Sequence, residues 1–205
     1  MSILKELVRG GARLVQLRDK NTPLPELLPD LRRCVEFAAG KGVLLIVNDR
    51  CDLALSAGAA GVHLGQEDLP PEAARAILGS RKIIGFSAHS LAQVRNSRSL
   101  PIQYIGFGPV YATSTKPDAE AAVGLRALAR ACRESSVPVA AIGGIGLERV
   151  REVLQAGAAS VAVISALMQA EDIARQMERF LEIATGKESI SNRMDRFPVQ
   201  GPDRR

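Results

Sequence analysis

Tryptophan is missing from the 205 residues and aromatics amount to only 3%, which excludes a core of stacked rings and leaves aliphatic layers to fill the interior. No apolar run approaches the roughly 18 residues of a membrane span, and the N-terminus lacks the charged-then-apolar order of a secretory signal. Both absences fit a soluble, cytoplasmic chain with no membrane partner. The three cysteines, Cys34, Cys51 and Cys132, are widely spaced and odd in number, which argues against a disulfide framework or a zinc site. They are expected to be buried, inert thiols. Clusters of Lys and Arg interleaved with aromatics are also lacking, so no nucleic-acid partner is expected. The formal net charge is +5, of which residues 187–205, with five basic and three acidic side chains, supply +2. The body of the chain is therefore only mildly basic.

What is present is a repeat. The segments VRGGARLVQLR around Gly11, LSAGAAGVHLG around Gly58 and LQAGAASVAVI around Gly157 each read as a helix end, a Gly-Ala break and a buried strand. These glycines are 47 and 99 residues apart, close to two and four units of roughly 25 residues, the length of one strand-and-helix step. Filling in the units predicts strands near 12–17, 43–47, 61–65, 82–87, 102–108, 138–143 and 160–165. Helices are expected near 24–40, 50–57, 71–79, 90–98, 123–135, 146–156 and 170–184, and the chain opens inside a helix at Ile3–Arg9. Strict alternation points to an α/β fold, either a (β/α)8 TIM barrel or an open doubly wound sheet. Polar residues at the C-terminal ends of the strands favour the barrel, because that is the rim where such a fold carries its chemistry.

Gln16, Arg18 and Lys20 alternate along the end of the first visible strand and share a face. A forked guanidinium beside a mobile ammonium suits a diphosphate; the plainer alternative is a solvated strand end. Asp49 and Asp68 follow adjacent strands, and two carboxylates with water and phosphate oxygens are a usual way to hold Mg²⁺. Each could instead cap a helix, Asp49 before Arg50 and Asp68 before Pro70 and Pro71. Thr113, Ser114, Thr115 and Lys116 offer three hydroxyls and a cation in a loop able to wrap phosphate oxygens, or form an ordinary surface loop. Gly143, Gly144, Ile164 and Ser165 follow the last two strands, where barrels bind phosphate through backbone N–H groups. His63 lies inside an apolar strand with no partner visible in the sequence and reads as a satisfied structural histidine ahead of the catalytic alternative, and His89 at the rim stays open. No Ser-His-Asp arrangement is apparent, so covalent catalysis is not suggested.

The segments VQLRDK (15–20), NDRCDLA (48–54), GVHLGQEDLP (61–70), IGFSAHS (84–90), YIGFGPVYATSTK (104–116), VAAIGGI (139–145) and VAVISAL (161–167) closely resemble thiamine-phosphate synthase, in order and at compatible spacing. The resemblance spans about residues 3–184. It implies a Mg²⁺-dependent transferase that joins a hydroxymethylpyrimidine diphosphate to a thiazole phosphate and releases pyrophosphate. The run Gln16, Leu17, Arg18, Asp19, Lys20, together with Asn48, Ser87 and Lys116, is implied to contact the pyrimidine diphosphate, with Arg18, Lys20, Ser87 and Lys116 as the catalytic set. Asp49 and Asp68 are implied to hold Mg²⁺, and Thr113, Ser114, Thr115, Gly144, Ile164 and Ser165 to receive the thiazole phosphate. Asp19 departs from the Glu common in the family, and Ala60 from an Asp.

The same resemblance places a further strand before the helix at Ile3, so the barrel is expected to lack its first strand in this chain, with a true start about 15–25 residues upstream. Residues 1–184 are expected to form the barrel domain and 185–205 a disordered tail. A homo-oligomer is allowed. The alternatives are a thiazole tautomerase, which typically carries a catalytic His in place of Pro109, and a non-catalytic barrel inactivated by loss of the first strand.

Overall fold

The computed structural model describes residues 1–113 and 120–186. Its centre is a parallel sheet of seven strands, β1 (Leu14–Leu17), β2 (Leu44–Asn48), β3 (Gly61–Leu64), β4 (Ile83–Ala88), β5 (Tyr104–Phe107), β6 (Val139–Ile142) and β7 (Ser160–Ala162). Each strand pairs with its neighbour in sequence, in the order β1-β2-β3-β4-β5-β6-β7. Helix α1 (Ser2–Arg9) precedes the sheet, the parallel crossovers are made by α2 (Leu24–Gly40), α3 (Cys51–Ser56), α4 (Pro71–Leu78), α5 (Leu91–Asn96), α6 (Gly124–Glu134) and α7 (Leu147–Gln155), and α8 (Ser165–Met168) and α9 (Ile173–Thr185) follow the last strand. Helix α1 packs on both α9 and α2, so the first and last units meet in the helical layer, while β1 and β7 are the two edges of the sheet.

Each predicted strand is present. The expected last strand, 160–165, ends early because Ile164 and Ser165 turn into the short α8, which the sequence reading did not separate from the strand. The Gly-Ala breaks work as helix stops. Gly58 takes φ +73°, its N–H donates to Leu55 O, and the N–H of Ala59 reaches back to Ala54 O at 2.9 Å. This satisfies carbonyls that the helix end leaves open. Gly11 and Gly157 repeat the positive φ at the same place in their units.

Aliphatic side chains between sheet and helices form the main core, including Leu31, Val47, Val62, Leu64, Ile84 and Ile105. A second, smaller cluster of Ile46, Tyr104 and Ala140 packs with Leu14, Ala60 and Ile83. Its strand residues fall in the alternate positions, so it fills the concave face of the sheet. At the N-terminal end of the strands Arg75 ties α4 to the segments leading into β4 and β5, donating to Lys82 O and Gln103 Oε1, both at 2.7 Å. Cys34 and Cys51 are buried, Cys132 is half-buried, and all three are free thiols. Burial pushes the Cys132 thiol up to about 11, consistent with an inert group.

Gly61 shows how closely the strands approach. A Cβ there would lie 1.9 Å from Ile83 O, so a side chain forces backbone to move. Gly61→Ala is expected to lose about 2–3 kcal/mol of unfolding free energy, as overpacking does. Gly58→Ala, with open space around the Cβ, should cost only the backbone strain of about 1 kcal/mol. Urea unfolding of both variants against wild type measures the difference.

Candidate active site

Parallel pairing sorts the strand residues into rows. Asn48 lies opposite His63, His63 opposite Gly85, and Gly85 opposite Tyr104. One step nearer the C-terminal rim, Ser87 lies opposite Gly106 and Gly106 opposite Ala140. Gln16, opposite Ile46, occupies the same face in β1. These residues alternate with the buried aliphatics of the outer face, so the concave side carries the polar groups.

At the ends of β1, β2 and β3 three charged side chains converge. Lys20 Nζ stands 3.5 Å from Asp49 Oδ2, and the carboxylates of Asp49 and Asp68 face each other within hydrogen-bonding reach. Asp49 has φ +63°, a left-handed conformation held in place by its N–H donating to His63 O at 2.8 Å. The side chain of Asp68 accepts from the N–H of Gly65 at 2.7 Å. Neither aspartate caps a helix: the caps are Arg50 for α3 and Pro70 for α4, and neither cap makes a side-chain bond. Both capping alternatives are therefore wrong, and the carboxylates face one another instead. Burial first, then the nearby Asp68, pushes the Asp49 carboxyl above the usual carboxylate range, while Lys20 pulls it down.

Two carboxylates this close are in mutual conflict. A divalent cation between them would relieve it, and an all-oxygen donor pair suits Mg²⁺, which keeps much of its own water. Among the described residues no third carboxylate, His or Cys joins the pair, so the other coordination positions would fall to water and substrate oxygens. The residues present fit such an ion.

Beside this pair a cavity of about 260 Å³ opens among Lys20, Thr22, Leu24, Asn48, Asp49 and Arg50. Asp19 borders it, but its carboxylate is occupied by its own turn, accepting from the N–H groups of Thr22 at 2.8 Å and Asn21 at 2.9 Å. Those bonds, Thr22 first, hold the Asp19 carboxyl below its ordinary range. Asp19 thus shapes the loop that carries Lys20. Leu17 packs half-buried against the core, and Gln16 and Arg18 are exposed at the strand end.

Ser87, buried at the end of β4, is held from two sides. Its carbonyl accepts from Gln66 Nε2 at 2.5 Å, and its hydroxyl lies 2.9 Å from His63 Nε2. His63 Nδ1 in turn lies 2.7 Å from Tyr104 Oη. The sequence reading saw no partner for His63 and did not single out Tyr104; the available signal was the mid-strand glycine in IIGF and YIGF, which marks a close approach. The ring of His89 is tied back through Nδ1 to Gly108 O at 2.6 Å.

The other half of the rim follows β5, β6 and β7. Gly144 takes φ +64°, and a Cβ on it would lie 2.6 Å from Ala112 O, so only glycine fits against the chain leaving β5. Arg149 secures this junction: it donates to Gly144 O at 2.6 Å and its guanidinium lies 4.2 Å from the centre of the Tyr111 ring. Tyr111 also donates to Glu152. Thr113 is half-buried at the start of the loop, Ile164 is exposed, and Ser165 opens α8. Ser114, Thr115 and Lys116 lie outside the described residues, as do residues 187–205 of the expected 185–205 tail, whose first residue, Thr185, instead closes α9 with Gly186 as its cap.

Comparison with known proteins shows the family to which the chain belongs. Residues 1–167 match the family described as thiamine monophosphate synthase. The chain is 43% identical over 185 residues to the thiamine-phosphate synthase of Azorhizobium caulinodans, covering 89% of this chain and 87% of that one. It is 47% identical over 170 residues to the thiamine biosynthesis bifunctional protein ThiM/ThiE of Symbiobacterium thermophilum, covering 83% of this chain but only 35% of that longer one. Among solved structures, thiamine phosphate pyrophosphorylase from Pyrococcus furiosus superposes with a TM-score of 0.84 at 34% identity, over 92% of this chain and 90% of that one.

The Asp49 environment gives a test that needs no substrate. In Asp68→Asn, with metal removed, the Asp49 carboxyl should titrate at lower pH than in wild type because the repelling charge is gone. In Lys20→Met it should titrate higher. Carboxyl ¹³C NMR titrations of the two variants measure both directions.

Proposed function

The chain belongs to the thiamine monophosphate synthase family and works as a thiamine-phosphate synthase, a transferase of thiamine biosynthesis, and we propose that it does so with Mg²⁺ at Asp49 and Asp68 and two separate phosphate subsites on the strand rim. The observation that carries this reading is the meeting of Lys20, Asp49 and Asp68 at the ends of three adjacent strands. A cation and a carboxylate pair side by side are what a leaving diphosphate and its counter-ion need.

In this reading Arg18, Lys20 and Lys116 bind the diphosphate of the pyrimidine substrate, with Gln16, Asn48 and Ser87 fixing its orientation by hydrogen bonds. Mg²⁺, when bound, supplies positive charge to the departing oxygens. The bond from the pyrimidine methylene to the diphosphate oxygen breaks, with its electron pair leaving on pyrophosphate, and the methylene carries cationic character. The thiazole nitrogen then donates its lone pair to that carbon, giving thiamine phosphate. Such a reaction needs leaving-group stabilisation and positioning rather than a strong base. The thiazole phosphate is received by Thr113, Ser114 and Thr115 and by the backbone at Gly144, Ile164 and Ser165. No helix among the described residues is long and apolar enough to cross a membrane, and the proposed setting is the cytoplasm.

Pro109 stands where the tautomerase alternative carries its catalytic histidine, which favours the transferase.

Chelation of divalent ions should abolish thiamine phosphate formation, and Asp49→Ala or Asp68→Ala should lower kcat/KM by at least about 100-fold, the scale of losing electrostatic stabilisation of a transition state. Circular dichroism should show both variants folded; full activity in both would remove the metal assignment. Arg18→Ala and Lys116→Ala should raise KM for the pyrimidine diphosphate more than for the thiazole phosphate, and Thr115→Ala the reverse. Steady-state kinetics with each substrate varied in turn tests that division.

A further inference from the structure

In the turn after β6 two consecutive carbonyls are taken and the N–H groups that follow them are left open. Gly143 O accepts from the N–H of Tyr111 at 3.2 Å, and Gly144 O accepts from Arg149 Nη1 at 2.6 Å. In a trans peptide the C=O and the following N–H point in opposite directions. The N–H of Gly144 is thereby turned away from the chain leaving β5, and the N–H of Ile145 away from Arg149. Among the described residues neither N–H donates to a protein acceptor, although Ile145 is only 5% exposed. Buried backbone donors are almost always paired, so two open ones in a row at the rim call for an acceptor that the chain does not supply.

Arg149 is itself held on three sides, which makes it a fixed donor rather than a solvated cation. Its guanidinium lies 4.2 Å from the centre of the Tyr111 ring, its Nε stands 3.4 Å from Glu148 Oε1, and Nη1 is committed to Gly144 O. Tyr111 is fixed in turn by its hydroxyl, which donates to Glu152 on the next turn of α7. The ring contact and the Glu152 bond are enough to strap α7 to the chain leaving β5. The bond to Gly144 O does something the strap does not need, because it sets the rotation of the Gly144–Ile145 peptide. Gly143 and Gly144 both have positive φ, +89° and +64°, and glycine places little steric restriction on the peptides around it. A bond from outside the turn must therefore fix this one.

We propose that Arg149 is a positioning residue for the thiazole phosphate: by holding Gly144 O it keeps the Gly144–Ile145 peptide from turning over, so that the N–H groups of Gly144 and Ile145 both face the phosphate. The inference rests on the assignment of that phosphate to Gly144 made above, and it adds the Ile145 N–H as a second donor and Arg149 as the group that orients it. With the peptide turned over, a carbonyl oxygen would meet the phosphate where an N–H now does, and the two repel.

Backbone ¹H–¹⁵N spectra of the full chain, titrated with thiazole phosphate in the presence of Mg²⁺ and pyrophosphate, read the two donors directly. In wild type the amide protons of Gly144 and Ile145 should both move downfield, and in Arg149→Met the Ile145 response should be lost. Arg149→Met should also raise KM for the thiazole phosphate about tenfold, the scale of a hydrogen bond to a charged group, while KM for the pyrimidine diphosphate moves by less than about twofold. Arg149→Lys, which keeps a donor for Gly144 O, should restore the Ile145 response and most of the affinity. Tyr111→Phe keeps the ring under the guanidinium and removes the bond to Glu152, and should leave both readings near wild type. An Ile145 response undiminished in Arg149→Met overturns the inference. So does a rise in KM for the thiazole phosphate in Tyr111→Phe equal to that in Arg149→Met, because loosening the strap would then be enough. If neither wild-type amide responds, the placement of the thiazole phosphate at Gly144 fails and the inference with it. A Gly144 response without one at Ile145 leaves that placement standing and overturns the inference alone. The wild-type spectra decide these last two outcomes even where Arg149→Met fails to fold.

Discussion

The parallel register of the seven strands is the constraint on which the rest depends. Because side chains alternate with period two, a slip of one residue exchanges the two faces of a strand. In β3 such a slip would carry Val62 and Leu64 into the concave face and turn His63 into the aliphatic core against the helices. His63 would then lose Tyr104 and Ser87, and the carbonyl that holds Asp49 would move away. The register is protected by close approach as well as by hydrogen bonds: the contact of Gly61 with Ile83 O leaves no room for a side chain. A backbone spacing at the closed end of the sheet thereby fixes the position of a carboxylate at the open end.

Asp49 is where this constraint meets chemistry. A left-handed conformation is tolerated by Asp better than by most residues, at a cost on the order of 1 kcal/mol, and strain of that kind persists only where the surroundings over-determine it. The N–H bond to His63 O and the paired strand before it do so. The chain turns sharply enough that the carboxylate faces Asp68 rather than the N-terminus of α3. Capping would satisfy helix donors and lower the energy of the local structure; facing Asp68 raises the carboxyl's proton affinity and leaves the pair suited to a cation.

The strands and helices were legible in the sequence because each strand is a short apolar run bounded by Gly, Pro or a polar cluster, and because the Gly-Ala stop recurs at a fixed place in the unit. The end of the last strand was less legible. Val163, Ile164 and Ala166 keep the apolar run going although the backbone leaves β7 after Ala162 and enters α8 at Ser165, and composition does not distinguish the two. Lys20, Asp49 and Asp68 could be placed on one rim from their positions after strands, but choosing between a cap and a facing pair required the φ of Asp49. The Tyr104, His63 and Ser87 line was beyond reach for a different reason. Its members are 24 and 41 residues apart, and their contact follows from the stagger between strands, which no spacing along the chain encodes. Gly85 and Gly106 were visible, yet what each makes room for is known only once the opposite residue is.

The distribution of charge across the concave face fits the proposed transfer. The carboxylate pair and Lys20 gather at β1–β3, where a diphosphate and its counter-ion would sit. The backbone groups at Gly144, Ile164 and Ser165 follow β6 and β7, where a second phosphate would be received. Between them stand the phenol of Tyr104, the imidazole of His63 and the hydroxyl of Ser87, in hydrogen-bonding contact with one another. The electrostatic gradient then lies along the sheet, from the departing anion on one side to the incoming thiazole on the other, and it is set by which strands carry which residues rather than by any one strong acid or base.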